Sequence, residues 1–361
     1  MKILHVINRC SVANGAAMVM QNIIEPLNRK GHQVDVLALV DITPSCGDTF
    51  EQIGCRYSYI MREGKSLYSP SLLWKLSQEM HKYDVVHAHL FPTFYWIAIA
   101  KMLFGYKGKL VFTEHSTQNN RQKPYLRLLE RFIYRRYNDI VAISDAVAEN
   151  LSNHLKAKFD IKVIPNGINV NFYKDHAPIS RTEICVPEDA VVLTQVARFG
   201  PEKDQMTVIK AMELLPENYH VVFVGAGPLI EKHKEAVESL GLQNRVHFLG
   251  IRRDVAAIIR ASDIVLAISH FEGFGLTAVE GMSSGKPIVA SDVPGLKDVV
   301  KGAGLLSVPG NVKDLADKIK LLASDKQLRN DLVEKGFERA QIYSSIRMSE
   351  QYEEIYVSKK K

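Results

Sequence analysis

Asp263-Ile264-Val265-Leu266-Ala267-Ile268-Ser269-His270-Phe271-Glu272-Gly273-Phe274-Gly275-Leu276-Thr277-Ala278-Val279-Glu280 reads as a strand, a glycine loop and a helix in succession. Ile264–Ile268 is a short apolar, largely β-branched run, the composition of a buried strand. Gly273 and Gly275 let the backbone turn sharply and approach a ligand closely. Leu276 opens a helical stretch that closes near Gly285-Lys286-Pro287, where glycine and proline stop it. A helix start exposes unpaired N–H groups and a partial positive charge, which suits a phosphate. Glu272 falls in the loop at that helix mouth. Glu280 lies further along, up to ~12 Å away if the whole stretch is helical. One carboxylate can then grip one end of a ligand and the second the other end, with a phosphate between them.

Strand and helix alternate along the whole chain. The first half offers strands at Lys2–Ile7, Gln33–Val40, Val85–Ala88, Lys109–Thr113 and Asp139–Ile143. The pattern starts afresh with Val191–Val196, His220–Val224, Val246–Phe248, Ile264–Ile268 and Ile288–Ala290. Longer amphipathic stretches separate them, which argues for parallel sheets with helices on both faces. Asp139-Ile140-Val141-Ala142-Ile143-Ser144 also echoes the run from Asp263 to Ser269. The expected fold is therefore α/β, with two doubly wound, Rossmann-like domains whose ligands meet the carboxyl ends of the strands. The boundary falls at Ile164-Pro165-Asn166-Gly167-Ile168-Asn169, a turn and breaker signal. Residues 1–166 make one domain and 167–343 the other. A last amphipathic helix, about 344–361, ends in a basic tail.

The 361 residues suffice for two ordinary domains, and 46% apolar with 24% charged residues is the balance of a globular protein. Met1–Ile7 is a strand that soon meets Asn8-Arg9, not a signal peptide. The apolar stretch 91–104 is broken by Pro92 and Lys101 and is too short to span a bilayer. Cys10, Cys46, Cys55 and Cys185 lack metal-site spacing and are expected to be free thiols in a reducing cytoplasm. The net charge of +6 is uneven: residues 1–165 carry +7 and residues 166–361 carry −1. An anion therefore has reason to approach the first half.

Several other residues carry chemistry. Arg198 and Lys203, on the loop after Val191–Val196, can clamp a diphosphate, one as a planar fork and the other as a point charge. Val224-Gly225-Ala226-Gly227-Pro228-Leu229 lacks the third glycine of a dinucleotide fingerprint, since Ile230 follows. Arg245 stands where the acidic ribose ligand belongs, so NAD is excluded. Gly15, in the loop after the first strand, is placed to meet phosphates at a helix start. His87 and His89 share one face of a strand but have no evident third metal ligand, and no Asp-x-Asp occurs. Lys123, Arg127, Arg131 and Arg135 form one helical ridge, and segment 121–136 carries net +5. Tyr125, Leu128, Leu129, Phe132 and Ile133 make its apolar face. This segment is read either as a packed helix with a solvated basic face or as a contact for anionic lipid or an acidic acceptor.

The run Ser-x-x-Glu-Gly-Phe-Gly-(x)4-Glu-Gly-Met-(x)2-Gly-Lys-Pro-Ile-Val-Ala-Ser, from Ser269 to Ser291, resembles the Glu-x7-Glu signature of the family 4 glycosyltransferases, the glycosyl transferases group 1. Members of that family have the GT-B fold, two Rossmann-like domains facing a cleft, with a terminal helix that returns to the first domain. The resemblance implies a retaining, metal-independent hexosyltransferase with no cofactor. It would move a sugar from a nucleotide-diphosphate sugar to a glycan or lipid-linked acceptor, in cell-surface polysaccharide or glycolipid assembly. Residues 1–166 would then be the acceptor side and 167–343 the donor side.

The same resemblance puts Glu272 and His115 at the reacting sugar and Glu280 on the ribose. Arg198, Lys203 and the backbone of Gly273, Phe274, Gly275 and Leu276 would meet the diphosphate, Gly15 would meet it from the other domain, and Ile251 would meet the base. Two positions depart from the family pattern around the cations: Ala197 and Asp204 stand where it has glycine. Nucleic acid is not an expected partner. The expected location is the cytoplasm, with the inner face of the membrane as the surface that segment 121–136 would touch. The other readings of the same residues are a sugar-nucleotide epimerase and a non-catalytic sugar-nucleotide binder.

Overall fold

A computed structural model describes residues 1–10, 15–43, 45–64, 69–116, 121 and 123–358. The chain divides into two compact units, Met1–Gly167 with Ser345–Lys361, and Ile168–Ser344. Each is a parallel sheet with helices on its faces, so the protein is α/β and doubly wound twice over.

The first unit holds β1 (Lys2–Cys10), β2 (Gln33–Asp41), β3 (Tyr57–Arg62), β4 (Val85–His89), β5 (Lys109–Glu114), β6 (Asp139–Ala142) and β7 (Ile161–Val163), in the order β3-β2-β1-β4-β5-β6-β7. The order reverses between β1 and β4, where His5 pairs in register with His87. β4 and β5 are buried at every residue, as strands covered on both faces must be. Phe94, Phe112, Tyr134 and Tyr137 pack the core below them. Helix Ser345–Val357 belongs to this unit and lies against helix Gly15–Arg29, with Lys30 and His32 on Glu353.

The second unit holds β8 (Val191–Val196), β9 (Tyr219–Val224), β10 (Val246–Phe248), β11 (Ile264–Ala267), β12 (Ile288–Ser291) and β13 (Leu305–Ser307), in the order β10-β9-β8-β11-β12-β13. Here the order reverses between β8 and β11. In such sheets ligands bind outside the carboxyl ends of the strands at the point of reversal.

Two expectations are corrected. Cys10 and Cys46 are joined as a disulfide, with Cα atoms 5.6 Å apart. Cys10 ends β1 opposite Asp41 of β2, and the chain after β2 returns over that strand end, a proximity that sequence spacing does not reveal. Cys55 and Cys185 are free.

The second correction concerns segment 121–136, which is not one continuous helical ridge. A short 3-10 turn, Pro124–Leu126, precedes the helix Arg127–Tyr134. Arg127 and Arg131 donate to the carbonyls of His154, Leu155 and Lys156, capping helix Asp145–Leu155. The apolar face is mostly outward: Tyr125, Leu128, Leu129 and Phe132 are exposed and Ile133 is buried. Inward goes Glu130, which accepts from Arg121 at 2.7 Å and Tyr95 at 2.9 Å and pairs with His154 at 2.7 Å. Arg121 also holds Glu114 at 2.7 Å.

Candidate active site

The loops after β8 and β11 are zipped together. Lys203 and Ser269 form an isolated antiparallel bridge, the Asp204 N–H donates to the Ile268 carbonyl at 3.2 Å, and the His270 N–H donates to that of Glu202 at 3.0 Å. Asp204, one of the two positions that depart from the family pattern, has a local task. Its carboxylate caps helix Gln205–Ala211 by accepting from the Thr207 N–H at 3.1 Å.

This zipper brings Lys203 onto Glu272. The ammonium donates to Glu272 Oε2 and lies 3.4 Å from Ser269 Oγ, while Glu272 Oε1 accepts from the Gly273 N–H at 3.1 Å. Both side chains are about one-fifth exposed, so they are fixed yet reachable. Arg198 is different. Its side chain is 61% exposed and its guanidinium stands 3.9 Å from Glu202, leaving most of its donor fork in solvent. Its backbone carbonyl is tied by the Gln205 amide at 3.0 Å.

Gly275 occupies the left-handed region (φ 98°) at the start of helix Leu276–Ser283, the turn the sequence asked of it. Phe274 does not offer its ring to a ligand. It is buried against Tyr343, centroids 5.1 Å apart, so only its backbone remains for that role. The stretch after β9 rests on the Arg198 loop: Phe199 N–H donates to Ala226 O at 3.1 Å, and a Cβ on Gly225 would come within 2.1 Å of the Ala197 carbonyl. The Gly225 N–H in turn donates to Gly250 O at 2.8 Å, which brings half-exposed Ile251 to the same rim.

Glu280, one turn into its helix, is buried, and its Oε1 accepts from the Tyr173 hydroxyl at 2.9 Å. Burial pushes its carboxyl up to about 7, against which the Tyr173 hydrogen bond acts in the lowering direction. Tyr173, on helix Val170–Asp175, is a site residue the sequence did not flag. Nothing in its own neighbourhood marks it, because its partner is more than a hundred residues away.

In the first unit, Gly15 begins helix Gly15–Arg29, and residues 11–14 of its loop lie outside the described residues. His115 follows β5, and its Nε2 is 3.0 Å from His89 Nδ1. His89 Nε2 is 3.0 Å from His5 Nδ1. His5 is thus the third histidine missing from the sequence reading of His87 and His89. The three bring possible ligand atoms within 4.8 Å of one another. Every ring nitrogen of the three already has a hydrogen-bond partner, however: His5 Nε2 and His87 Nδ1 on Tyr356 at 3.3 and 2.7 Å, and His87 Nε2 on Thr113 at 2.8 Å. A metal would have to displace that chain. Burial lowers His5 to about 3 and His115 to about 4, and holds His87 and His89 well below the ordinary imidazole range.

The two units therefore present distinct carboxyl-edge chemistry: cations, a helix start and two carboxylates in one, neutral histidines in the other. Comparison with known proteins gives this architecture its class. The glycosyl transferases group 1 family matches residues 178–339, and Glycosyltransferase Family 4 matches residues 13–172. The N-acetyl-alpha-D-glucosaminyl L-malate synthase of Bacillus anthracis is 27% identical over 80% of this chain and 79% of its own length. A UDP-Gal:alpha-D-GlcNAc-diphosphoundecaprenol alpha-1,3-galactosyltransferase of Escherichia coli is 27% identical over 76% of this chain and 74% of its own. The crystal structure of Anabaena HepE in complex with UDP and glucose superposes with a TM-score of 0.85 at 23% identity, covering 98% of this chain and 99% of that one. The fold is that of the GT-B glycosyltransferases. The chain belongs to the glycosyl transferases group 1 family.

Proposed function

We propose that this glycosyltransferase takes a nucleoside-diphosphate sugar as donor and transfers the sugar to an acceptor hydroxyl with retention at the anomeric carbon, without a metal. The observation that carries the reading is the Lys203–Glu272 pair beside the start of helix Leu276–Ser283, at the reversal point of the second sheet. As the glycosidic bond breaks, the sugar becomes cationic and the diphosphate leaves as an anion. Lys203, Arg198 and the amides of Gly273–Leu276 meet that developing negative charge with fixed positive charge, the preorganised form of stabilisation. They do the work a divalent cation would do elsewhere. Glu272 holds the sugar, Glu280 the ribose, and the Ile251 rim the base. Gly15 is the first unit's contact to the phosphates and His115 its contact to the sugar.

The donor assignment draws support from the Escherichia coli relative, whose name includes UDP-Gal, and from the UDP-bound structure of Anabaena HepE. Both matching families are glycosyltransferases, which disfavours the epimerase and the inert binder. The Escherichia coli relative's diphosphoundecaprenol acceptor supports a role in surface glycan assembly. Exposed Tyr125, Leu128, Leu129 and Phe132, flanked by Lys123 and Arg135, support contact with an anionic membrane surface at the cytoplasmic face. Among the described residues no helix is long and apolar enough to cross a membrane.

The test is an NMR assay of product anomers, run with the nucleotide sugar that most raises the melting temperature. An axial donor giving an axial product supports the reading. Inversion, or turnover without an acceptor, overturns it.

A further inference from the structure

The buried histidines of the first unit form one unbroken line of hydrogen bonds with two tyrosines of the C-terminal helix. Tyr352 meets Thr113 at 3.0 Å, Thr113 meets His87 at 2.8 Å, and His87 meets Tyr356 at 2.7 Å. Tyr356 meets His5 at 3.3 Å, His5 meets His89 at 3.0 Å, and His89 meets His115 at 3.0 Å. Tyr352, His5, His87, His89 and Thr113 are wholly buried, and Tyr356 nearly so.

A neutral imidazole has one donor and one acceptor nitrogen. Because burial keeps all four rings neutral, each must donate on one side and accept on the other. The line can therefore run in only two ways, and the direction chosen at one end fixes the proton at the other. The Tyr352 end decides. Its hydroxyl has one partner among the described residues, Thr113, and a buried O–H without an acceptor is costly. Tyr352 therefore donates to Thr113, which donates to His87 Nε2. His87 Nδ1–H donates to Tyr356, Tyr356 to His5 Nε2, His5 Nδ1–H to His89 Nε2, and His89 Nδ1–H to His115 Nε2. His115 Nε2 is then an acceptor, and its proton is on Nδ1, the nitrogen with no partner among the described residues.

We propose that the C-terminal helix, through Tyr356 and with Thr113 fixing the direction, sets the tautomer of His115, so that this histidine presents an N–H donor rather than a lone pair. Thr113, Tyr356, His5 and His89 are positioning residues. The consequence for transfer rests on the reading of His115 as a sugar contact: an Nδ1–H there can donate to a sugar oxygen but cannot take a proton from the acceptor hydroxyl.

The experiment is two-bond proton–nitrogen correlation on protein with 15N-histidine, assigned with His115→Gln and recorded without substrate. In the wild type the expected result is a single neutral species at His115 with the proton on Nδ1. Tyr356→Phe cuts the line. His115 should then shift toward the Nε2–H form that free imidazole side chains favour. Thr113→Val removes the hydroxyl that donates to His87 Nε2 and should shift it the same way, which covers the case of a Tyr356 variant that fails to fold, whereas Tyr352→Phe should leave the tautomer in place because the Thr113 hydroxyl then has only His87 Nε2 to donate to among the described residues. Transfer by Tyr356→Phe should lose about tenfold in kcat with the donor KM within about twofold.

An Nε2–H His115 in the wild type, or an unchanged tautomer in both Tyr356→Phe and Thr113→Val, overturns the proposal. Full activity in His115→Gln overturns instead the placement of His115 at the sugar and leaves the spectroscopic result standing.

Discussion

Glu280 offers the sharpest quantitative handle on the second unit. Its carboxyl is buried with the Tyr173 hydroxyl as its hydrogen-bond partner, and its proton comes off at about 7 rather than 4.5. In an unfolded chain the same group ionises near its ordinary value. Between those two pH values the folded state holds the proton and the unfolded state does not. The folded state therefore gains from Glu280 at low pH and loses as pH rises from about 4.5 to about 7. The shift corresponds to about 3 kcal/mol, fully lost above pH 7.

Glu280→Gln keeps an oxygen for Tyr173 and removes the charge. Its amide hydrogens carry a desolvation cost of about 1–3 kcal/mol that does not vary with pH. The variant should thus be less stable than the wild type at pH 5, and the gap should close or invert by pH 8. The assay is urea denaturation of both proteins from pH 5 to 8, read on a reporter in the second unit. Parallel profiles across that range would refute the buried, protonated Glu280. The same physics couples to ligand. Ribose hydroxyls donating to the carboxylate favour its ionised form, so nucleoside diphosphate should bind more tightly at pH 8 than at pH 6 and release protons on binding near pH 6.

Other outcomes are fixed by the geometry. Glu272→Ala and Lys203→Ala should each cut transfer by about a hundredfold or more while leaving the melting temperature within a few degrees, because both are surface-reachable and lie outside the core. Near-normal turnover in either contradicts their roles. Gly225→Ala forces a methyl against the Ala197 carbonyl and should destabilise the second unit by about 2–4 kcal/mol in denaturant titration. Arg121→Met leaves Glu114 and Glu130 buried without their guanidinium and should cost the first unit about 3–5 kcal/mol. Leu128→Ser with Phe132→Ser should weaken binding to vesicles containing anionic lipid without loss of stability, and equal binding would dismiss that face as a membrane contact.

Much of this was legible in the sequence, for a physical reason. Central strands such as β11 and β12 are covered on both faces and read as short apolar runs, so they announce themselves, and the glycines and Glu272 stand just after one of them. Edge strands carry no such demand. β3, β7 and β13 are only partly buried and were not foreseen. Segment 121–136 misled because a period of four shows which side chains share a side, but not which side faces the core. There Glu130 goes inward to satisfy Arg121, and the leucines go outward. Tyr173 on Glu280, and His5 with Tyr352 and Tyr356 around His87, depend on strand register and helix docking between distant segments. No local pattern encodes those contacts.

The central claim is that the loops after β8 and β11 cradle a diphosphate. The most direct measurement is hydrogen exchange of the full chain with and without the tightest binder among UDP, GDP and ADP, repeated with Lys203→Ala. Protection concentrated in residues 197–204 and 269–280, with at least tenfold weaker binding by the variant, is the predicted result. Protection elsewhere, or equal affinity of the two proteins, would contradict it.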